Sequence, residues 1–120
     1  MKLLDSFAWI EYFRGSRRGS KVREMIEGTE PLYTPSITLT EIKSRYLRDK
    51  KDPTERLNLI LSRSIVTPLS VEIALLAADI KQNYKLHTID SIIYATSQYK
   101  NLVLVTGDEH FRDLPNVEMI

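Results

Sequence analysis

Cysteine is absent from this 120-residue chain, and long apolar stretches are absent as well. Without cysteine, neither a disulfide framework nor a thiolate zinc site can form, which is compatible with a reducing compartment. No stretch approaches the roughly 20 apolar residues that a membrane-spanning helix needs. The start, MKLLD, runs straight into an acidic residue and lacks the apolar core of a signal peptide. We therefore expect a cytoplasmic protein with no membrane partner.

An excess of charge of either sign is also missing. Seventeen lysines and arginines face sixteen aspartates and glutamates, which leaves a net charge of +1. The overall charge therefore selects neither nucleic acid nor a membrane surface, and any nucleic-acid site must come from local clustering. Hydrophobic residues make up 42% and charged residues 28%, which is typical of a folded globular protein. The length suits a single domain over residues 1–120, without internal repeats.

Strand-like apolar runs alternate with helical patterns along the chain, which indicates βαβ units around a parallel sheet. The predicted fold class is α/β, a three-layer α/β/α sandwich whose central parallel sheet has four or five strands. Ser6 is the expected cap of the first helix, and Gly15 and Gly19 are expected to end that helix. The predicted strands are residues 2–4, 32–34, 65–66, 102–105 and 117–120, and the predicted helices lie near residues 6–13, 20–27, 38–48, 53–63, 70–80 and 88–99.

Four acidic residues accompany these elements. Asp5 ends the first strand, Asp108 follows the apolar run LVLVT, Glu41 lies in the helix after the second strand, and Asp90 lies at the start of the last helix. In open α/β folds the carboxyl ends of strands meet at the crevice that binds ligands. Carboxylates gathered there repel one another and lose hydration, and a hard divalent cation relieves both costs.

Each acid also has a purely local explanation. Thr38 and Glu41 fit a capping box, and Asp90 in a first helical turn suits the helix dipole. Asp5 could cap the first helix, although Ser6 already offers that, and Asp108 after Gly107 could be a turn residue. Local capping does not explain the joint pattern of the four acids.

That joint pattern resembles the PIN domain family. It comprises LLDS at 3–6 followed by WIEYF at 9–13, the pair TE at 40–41, TIDSIIYAT at 88–96 and TGDEHF at 106–111. The resemblance covers nearly the whole chain in the family's order and spacing. Within the family, the motifs are most similar to those of VapC-type toxin ribonucleases of toxin–antitoxin systems.

The resemblance implies a metal-dependent endoribonuclease that hydrolyses RNA with a metal-activated water. Asp5, Glu41 and Asp90 would form the core of a site for one or two Mg²⁺ or Mn²⁺ ions, with Asp108 acting through water. Ser6 and Thr106 would orient these acids by hydrogen bonds. The same resemblance implies a toxin, a cognate antitoxin that covers the crevice, and a homodimer. Phosphodiester hydrolysis by such ions needs no side-chain nucleophile.

One position departs from the family pattern. Many relatives carry another acid two residues beyond the last motif aspartate, whereas this chain has His110. This substitution puts a second metal site in doubt. We expect His110 to be a surface histidine, His87 to be structural or solvated, and Glu11 to be exposed.

Basic residues cluster in two places. Arg14, Arg17 and Arg18 lie around a glycine–serine turn together with Lys21 and Arg23. Lys43 begins a second group near the end of the Glu41 helix, which continues with Arg45, Arg48, Lys50 and Lys51. Arg14, Arg17, Arg18 and Lys43 are the predicted RNA-backbone contacts, because phosphate contacts give affinity without reading sequence. The second group fits a solvated helix end equally well.

Other functions remain open at this stage. A catalytically idle PIN-like module for RNA binding or assembly would carry the same motifs. A receiver-like signalling domain also clusters acids on a parallel sheet, but it expects an acidic pair after the first strand, where this chain has Asp5 and Ser6. A haloacid-dehalogenase-like phosphatase would need a second aspartate two residues after Asp5. Trp9, Tyr12 and Phe13 fit a core better than a partner surface.

Overall fold

The computed structural model describes all residues from 1 to 120. Its elements, in chain order, are β1 (Lys2–Leu4), α1 (Ser6–Arg14), α2 (Arg17–Glu27), β2 (Leu32–Pro35), α3 (Ser36–Arg48), α4 (Thr54–Arg63), β3 (Ile65–Thr67), α5 (Val71–Tyr84), α6 (Thr88–Tyr99), β4 (Val103–Thr106), a 3₁₀ turn (Glu109–Phe111) and β5 (Val117–Met119). None of the helices has the length and apolarity to cross a membrane.

The five strands form one parallel sheet in the order β3-β2-β1-β4-β5. The short first strand therefore lies at the centre, with β2 on one side and β4 on the other. Successive residues of a strand point to opposite faces. Accordingly, Leu3 belongs to the core beneath α5 and α6, whereas Leu4 belongs to the core that contains Trp9 of α1 and Val22 of α2. The predicted α/β/α sandwich is confirmed, with five strands.

The ends of several elements differ from the sequence prediction. Asp5, not Ser6, caps α1, and its side chain accepts the backbone N–H of Ala8. Gly15 ends that helix at φ +65°, a left-handed conformation that glycine adopts without strain. Gly19, which was also expected to end the first helix, lies inside α2 because α2 begins at Arg17. A Cβ atom at Gly19 would lie 2.1 Å from the Glu11 carbonyl oxygen, so glycine is required there for the close packing of α1 and α2.

Candidate active site

The topology brings the four acids to the carboxyl edge of the sheet. Asp5 follows the central strand β1, and Asp108 follows its neighbour β4. Glu41 lies in α3, which begins directly after β2, and Asp90 lies in the first turn of α6. Their carboxylates affect one another electrostatically: Glu41 and Asp108 act on Asp5, and both Asp90 and Asp108 act on Glu41. The structure therefore brings all four predicted residues together.

Asp5 is the most deeply buried member, with 3% of its surface exposed. Its Oδ1 accepts the N–H of Ala8 at 3.0 Å, and its Oδ2 accepts the Thr106 hydroxyl at 2.5 Å. Burial raises the pKa of Asp5 to about 7. The two hydrogen bonds oppose that rise, whereas the Glu41 and Asp108 carboxylates add to it. The charged form of Asp5 is therefore costly in the absence of a cation.

Thr106 links the two strand ends that carry these acids. Its buried hydroxyl donates to Asp5 and accepts the backbone N–H of Asp108 at 3.0 Å. The next residue, Gly107, packs against the ring of Phe7 so closely that a Cβ atom there would lie 2.3 Å from a ring carbon. This contact and the Thr106 hydrogen bonds fix the turn that presents Asp108.

Glu41 does not belong to a capping box. Helix α3 begins at Ser36, so Thr38 lies inside the helix and not at its cap, and the capping interpretation is wrong. Instead, Oε1 of Glu41 is buried without a hydrogen-bond partner, as is the hydroxyl of Thr38. Burial raises the pKa of Glu41, and the Ser6 hydroxyl acts in the opposite direction. An unpartnered buried carboxylate oxygen is costly, and a bound cation would offset that cost.

Asp90 and Asp108 both face His110. Its Nδ1 lies 3.1 Å from Oδ2 of Asp90 and 3.4 Å from Oδ1 of Asp108. Burial raises the pKa of Asp90, and Asp108 adds to the rise, whereas His110 and His87 lower it. Oδ1 of Asp108 also accepts the backbone N–H of His110 at 2.9 Å. Asp108 therefore stabilises the turn and also lies in the acidic cluster. His110 is exposed, as expected of a surface histidine, but its contacts with Asp90 and Asp108 were not predicted from the sequence.

A groove of about 320 Å³ opens beside Glu41 and Ser6. Arg45 and Arg48 line it, together with Ile10 and Ser44. The two arginines follow Glu41 by one and two helical turns, so this spacing in the sequence is the signal that could have singled them out. Lys43 is not among the groove residues, and its contact with RNA stays a prediction.

One arginine of the first basic cluster lies close to the turn that presents Asp108. The Arg18 guanidinium lies over the Phe7 ring, 5.5 Å from its centroid, and Phe7 packs on Gly107. Nη1 of Arg14 lies 4.0 Å from the Glu11 carboxylate. The expectation that Glu11 is exposed is wrong: its side chain is 15% exposed, and Oε2 is buried without a partner.

The donor set fits a hard divalent cation. No lysine or arginine forms an ion pair with any of the four acids, and His110 is the single basic side chain that pairs with them. Clustered carboxylate oxygens, one of them buried and unpartnered at Glu41, suit Mg²⁺ and similar ions. Such an ion would offset the burial and the smaller mutual repulsion that together raise the pKa values of Asp5, Glu41 and Asp90.

Solved structures with the same fold come from several bacteria. A toxin–antitoxin complex from Klebsiella pneumoniae aligns with a TM-score of 0.83 at 27% identity, covering 99% of this chain and 97% of the other. VapC20 of Mycobacterium tuberculosis, described as a toxin that cleaves the sarcin–ricin loop, aligns at 0.80 and 15% identity over 99% and 98%. DNA-bound VapBC from Salmonella typhimurium aligns at 0.71 and 20% identity over 100% and 98%. The last two likenesses show the fold alone.

No curated protein matches the sequence. The family model of the PIN domain, however, matches residues 2–117. This match leaves out one residue at the start and three at the end, and it contains all four acids. The chain therefore belongs to the PIN domain family.

Proposed function

We propose that this protein is a metal-dependent endoribonuclease and the toxin of a toxin–antitoxin pair. The observation that carries the proposal is the convergence of four carboxylates at one sheet edge, where no basic side chain other than His110 compensates them. The Klebsiella structure supports the toxin role, because it is a toxin–antitoxin complex that aligns over nearly all of both chains. We further propose that residues 1–120 act as one nuclease domain.

The metal would be held by Asp5, Glu41 and Asp90, with Asp108 acting through water. When bound, Mg²⁺ or Mn²⁺ supplies an activated water and relieves the charge that builds on the phosphoryl and leaving oxygens. The chain supplies a rigid frame for this chemistry. The Thr106 hydroxyl holds Oδ2 of Asp5, and the Ala8 N–H holds Oδ1, so that the carboxylate cannot rotate. Ser6, whose hydroxyl lowers the pKa of Glu41, would help to orient that carboxylate.

The substrate would approach across basic surfaces on both sides of the acids. Arg45 and Arg48 line the groove that adjoins Glu41, and Arg18 lies over Phe7 beside the Asp108 turn. Guanidinium groups in these places suit phosphates on either side of a scissile bond. A cognate antitoxin and a second copy of the chain are the proposed protein partners.

The proposal is tested by replacing Asp90 with asparagine. Asparagine keeps the size of the side chain but removes the charge, so we expect Mg²⁺- or Mn²⁺-dependent RNA cleavage to fall by about 100-fold or more. Cleavage is measured on end-labelled RNA, and circular dichroism checks the fold. The matched control is Asp79→Asn on the exposed surface of α5, which should cleave like the original protein. Equal cleavage by Asp90→Asn would exclude this site as the nuclease centre, and RNA binding without cleavage by the unmodified protein would favour the idle module.

A further inference from the structure

We propose that Asp90, Asp108 and His110 form a mixed nitrogen–oxygen metal site that prefers a transition-metal ion such as Mn²⁺, Co²⁺ or Zn²⁺ to Mg²⁺. This inference rests on the proposed function, because Asp90 and Asp108 are two of the candidate catalytic carboxylates. It differs in making Asp108 a direct ligand and not one that acts through water. It assigns to His110 the role of a ligand. A nitrogen ligand beside two carboxylates would change which metal the site prefers.

The spacing of the donor atoms fits coordination of one ion. One ligand atom from each of the three side chains lies within 4.8 Å of the other two. Two donors about 2.1 Å from an octahedral ion and at right angles to each other are about 3.0 Å apart, and tetrahedral donors are about 3.4 Å apart. Nδ1 of His110 lies 3.1 Å from Oδ2 of Asp90 and 3.4 Å from Oδ1 of Asp108.

The backbone places the imidazole at this point. Asp108 begins the 3₁₀ turn, and its Oδ1 accepts the N–H of His110 at 2.9 Å, which holds the histidine beside the Asp108 carboxylate. Asp90 is fixed independently in the first turn of α6. The ring of His87, at the cap of α6, lies edge-on to the His110 ring with centroids 5.6 Å apart. The imidazole is therefore confined between two separately anchored carboxylates.

A second observation at the same edge also indicates a cation. Oε1 of Glu41 is buried and has no hydrogen-bond partner, and both Asp90 and Asp108 act on this carboxylate electrostatically. Pairing of a charged His110 with the two aspartates would leave that oxygen unsatisfied. A cation held at this edge would attract all three carboxylates.

The donor chemistry decides the preference for one metal over another. Mg²⁺ favours oxygen donors and near-ideal octahedral geometry, whereas imidazole suits Zn²⁺ and neighbouring transition metals. A donor set of one imidazole and two carboxylates therefore favours Co²⁺ or Zn²⁺ over Mg²⁺. In the alternative role, a positively charged His110 would itself pair with Asp90 and Asp108 as an internal cation and would compete with the metal.

The test compares Co²⁺ and Mg²⁺ affinities by isothermal titration calorimetry on the full chain. For His110→Ala, we expect the Co²⁺ Kd to rise about tenfold or more, since a direct ligand is lost. For His110→Asp, we expect tighter binding of Mg²⁺ and a preference for Co²⁺ that is about tenfold smaller. Asp79→Asn is the matched control, because it removes an exposed carboxylate of α5 outside the donor set, and its Co²⁺ affinity should stay within about twofold.

A direct readout comes from nitrogen NMR of the imidazoles during a titration with Zn²⁺. The Nδ1 resonance of His110 should show the large shift of a metal-bound nitrogen as Zn²⁺ binds, whereas the His87 nitrogens should shift much less. Unchanged or tighter Co²⁺ binding in His110→Ala would overturn the inference and indicate the internal-cation role. If the unmodified protein bound neither Co²⁺ nor Mg²⁺, the inference and the proposed metal-dependent function would both fail. Metal-dependent cleavage with an unshifted His110 resonance would reject the inference alone.

Discussion

Asp5 combines two functions that are usually assigned to different residues. One carboxylate oxygen caps α1, and the other accepts the Thr106 hydroxyl. Both contacts orient the carboxylate, but neither supplies a positive charge. Because the residue is almost fully buried, the protein retains a group whose charged form opposes folding unless a cation is present.

Stability should therefore depend on pH through Asp5 when metal is absent. The pKa of Asp5 is about 7 in the folded state against 3.8 in the unfolded chain. Its contribution to stability is complete below pH 3.8 and is lost as the pH rises toward 7, because only the unfolded chain has released its proton. Asp5→Asn removes this dependence, so the loss of stability between pH 5 and pH 8 should shrink by about 2 kcal/mol.

Urea unfolding in the presence of a chelator measures this change. The raised pKa values of Glu41 and Asp90 leave part of the dependence in place. Asp79→Asn, an exposed substitution of the same kind, should retain the full dependence. A variant at position 5 with an unchanged loss of stability would contradict the role assigned to burial.

Helix α3 presents different faces to different surroundings. Ile42 is fully buried in the core, whereas Glu41, Arg45 and Arg48 line the groove. Lys43 follows Glu41 by two residues, a spacing that places the two side chains on different faces of a helix. Arg45 and Arg48 therefore have more direct access than Lys43 to an RNA backbone in the groove.

Arg45→Ala should weaken RNA binding more than Lys43→Ala. We expect the Kd to rise about tenfold for the arginine variant, and the slope of log Kd against log salt to fall by about 0.7. Fluorescence anisotropy with a short RNA, in the Asp90→Asn background to prevent cleavage, measures both quantities. A larger effect of Lys43→Ala would contradict this expectation and would support Lys43, the residue predicted from the sequence, as the RNA contact.

Most elements could be predicted from the sequence because apolar periodicity and turn residues indicate them directly. The ends of helices were less predictable, since Asp5 and Ser6 are both good caps and only the backbone decides between them. The burial of the Glu11 side chain could not be predicted, because it depends on the tertiary packing around α1. The contact of His110 with two carboxylates likewise depends on tertiary placement.

The whole molecule exposes a set of apolar side chains along β3 and the start of α5. Leu75 is 67% exposed and Val71 is 72% exposed, with Ile65 and Leu69 also exposed nearby in the chain. These residues do not fill the core. We expect this surface to be covered by a second copy of the chain in the predicted homodimer.

Leu75→Glu should therefore convert the dimer to a monomer, because a charge buried in an interface costs several kcal/mol. Sedimentation equilibrium measures the mass. Leu61→Glu on α4 is the matched control, since Leu61 is also exposed, at 55%, but lies on a different helix. Dissociation by the control and not by Leu75→Glu would place the dimer contact on α4.

The bond between Thr106 and Asp5 joins residues 101 positions apart in the chain. During synthesis, Asp5 and Glu41 are made before Thr106 and Asp108. A chain that stops before β4 lacks the hydroxyl that holds Asp5, the neighbour strand that aligns β1 and the fourth carboxylate. The proposed nuclease site is therefore incomplete in any chain that lacks β4 and the turn after it.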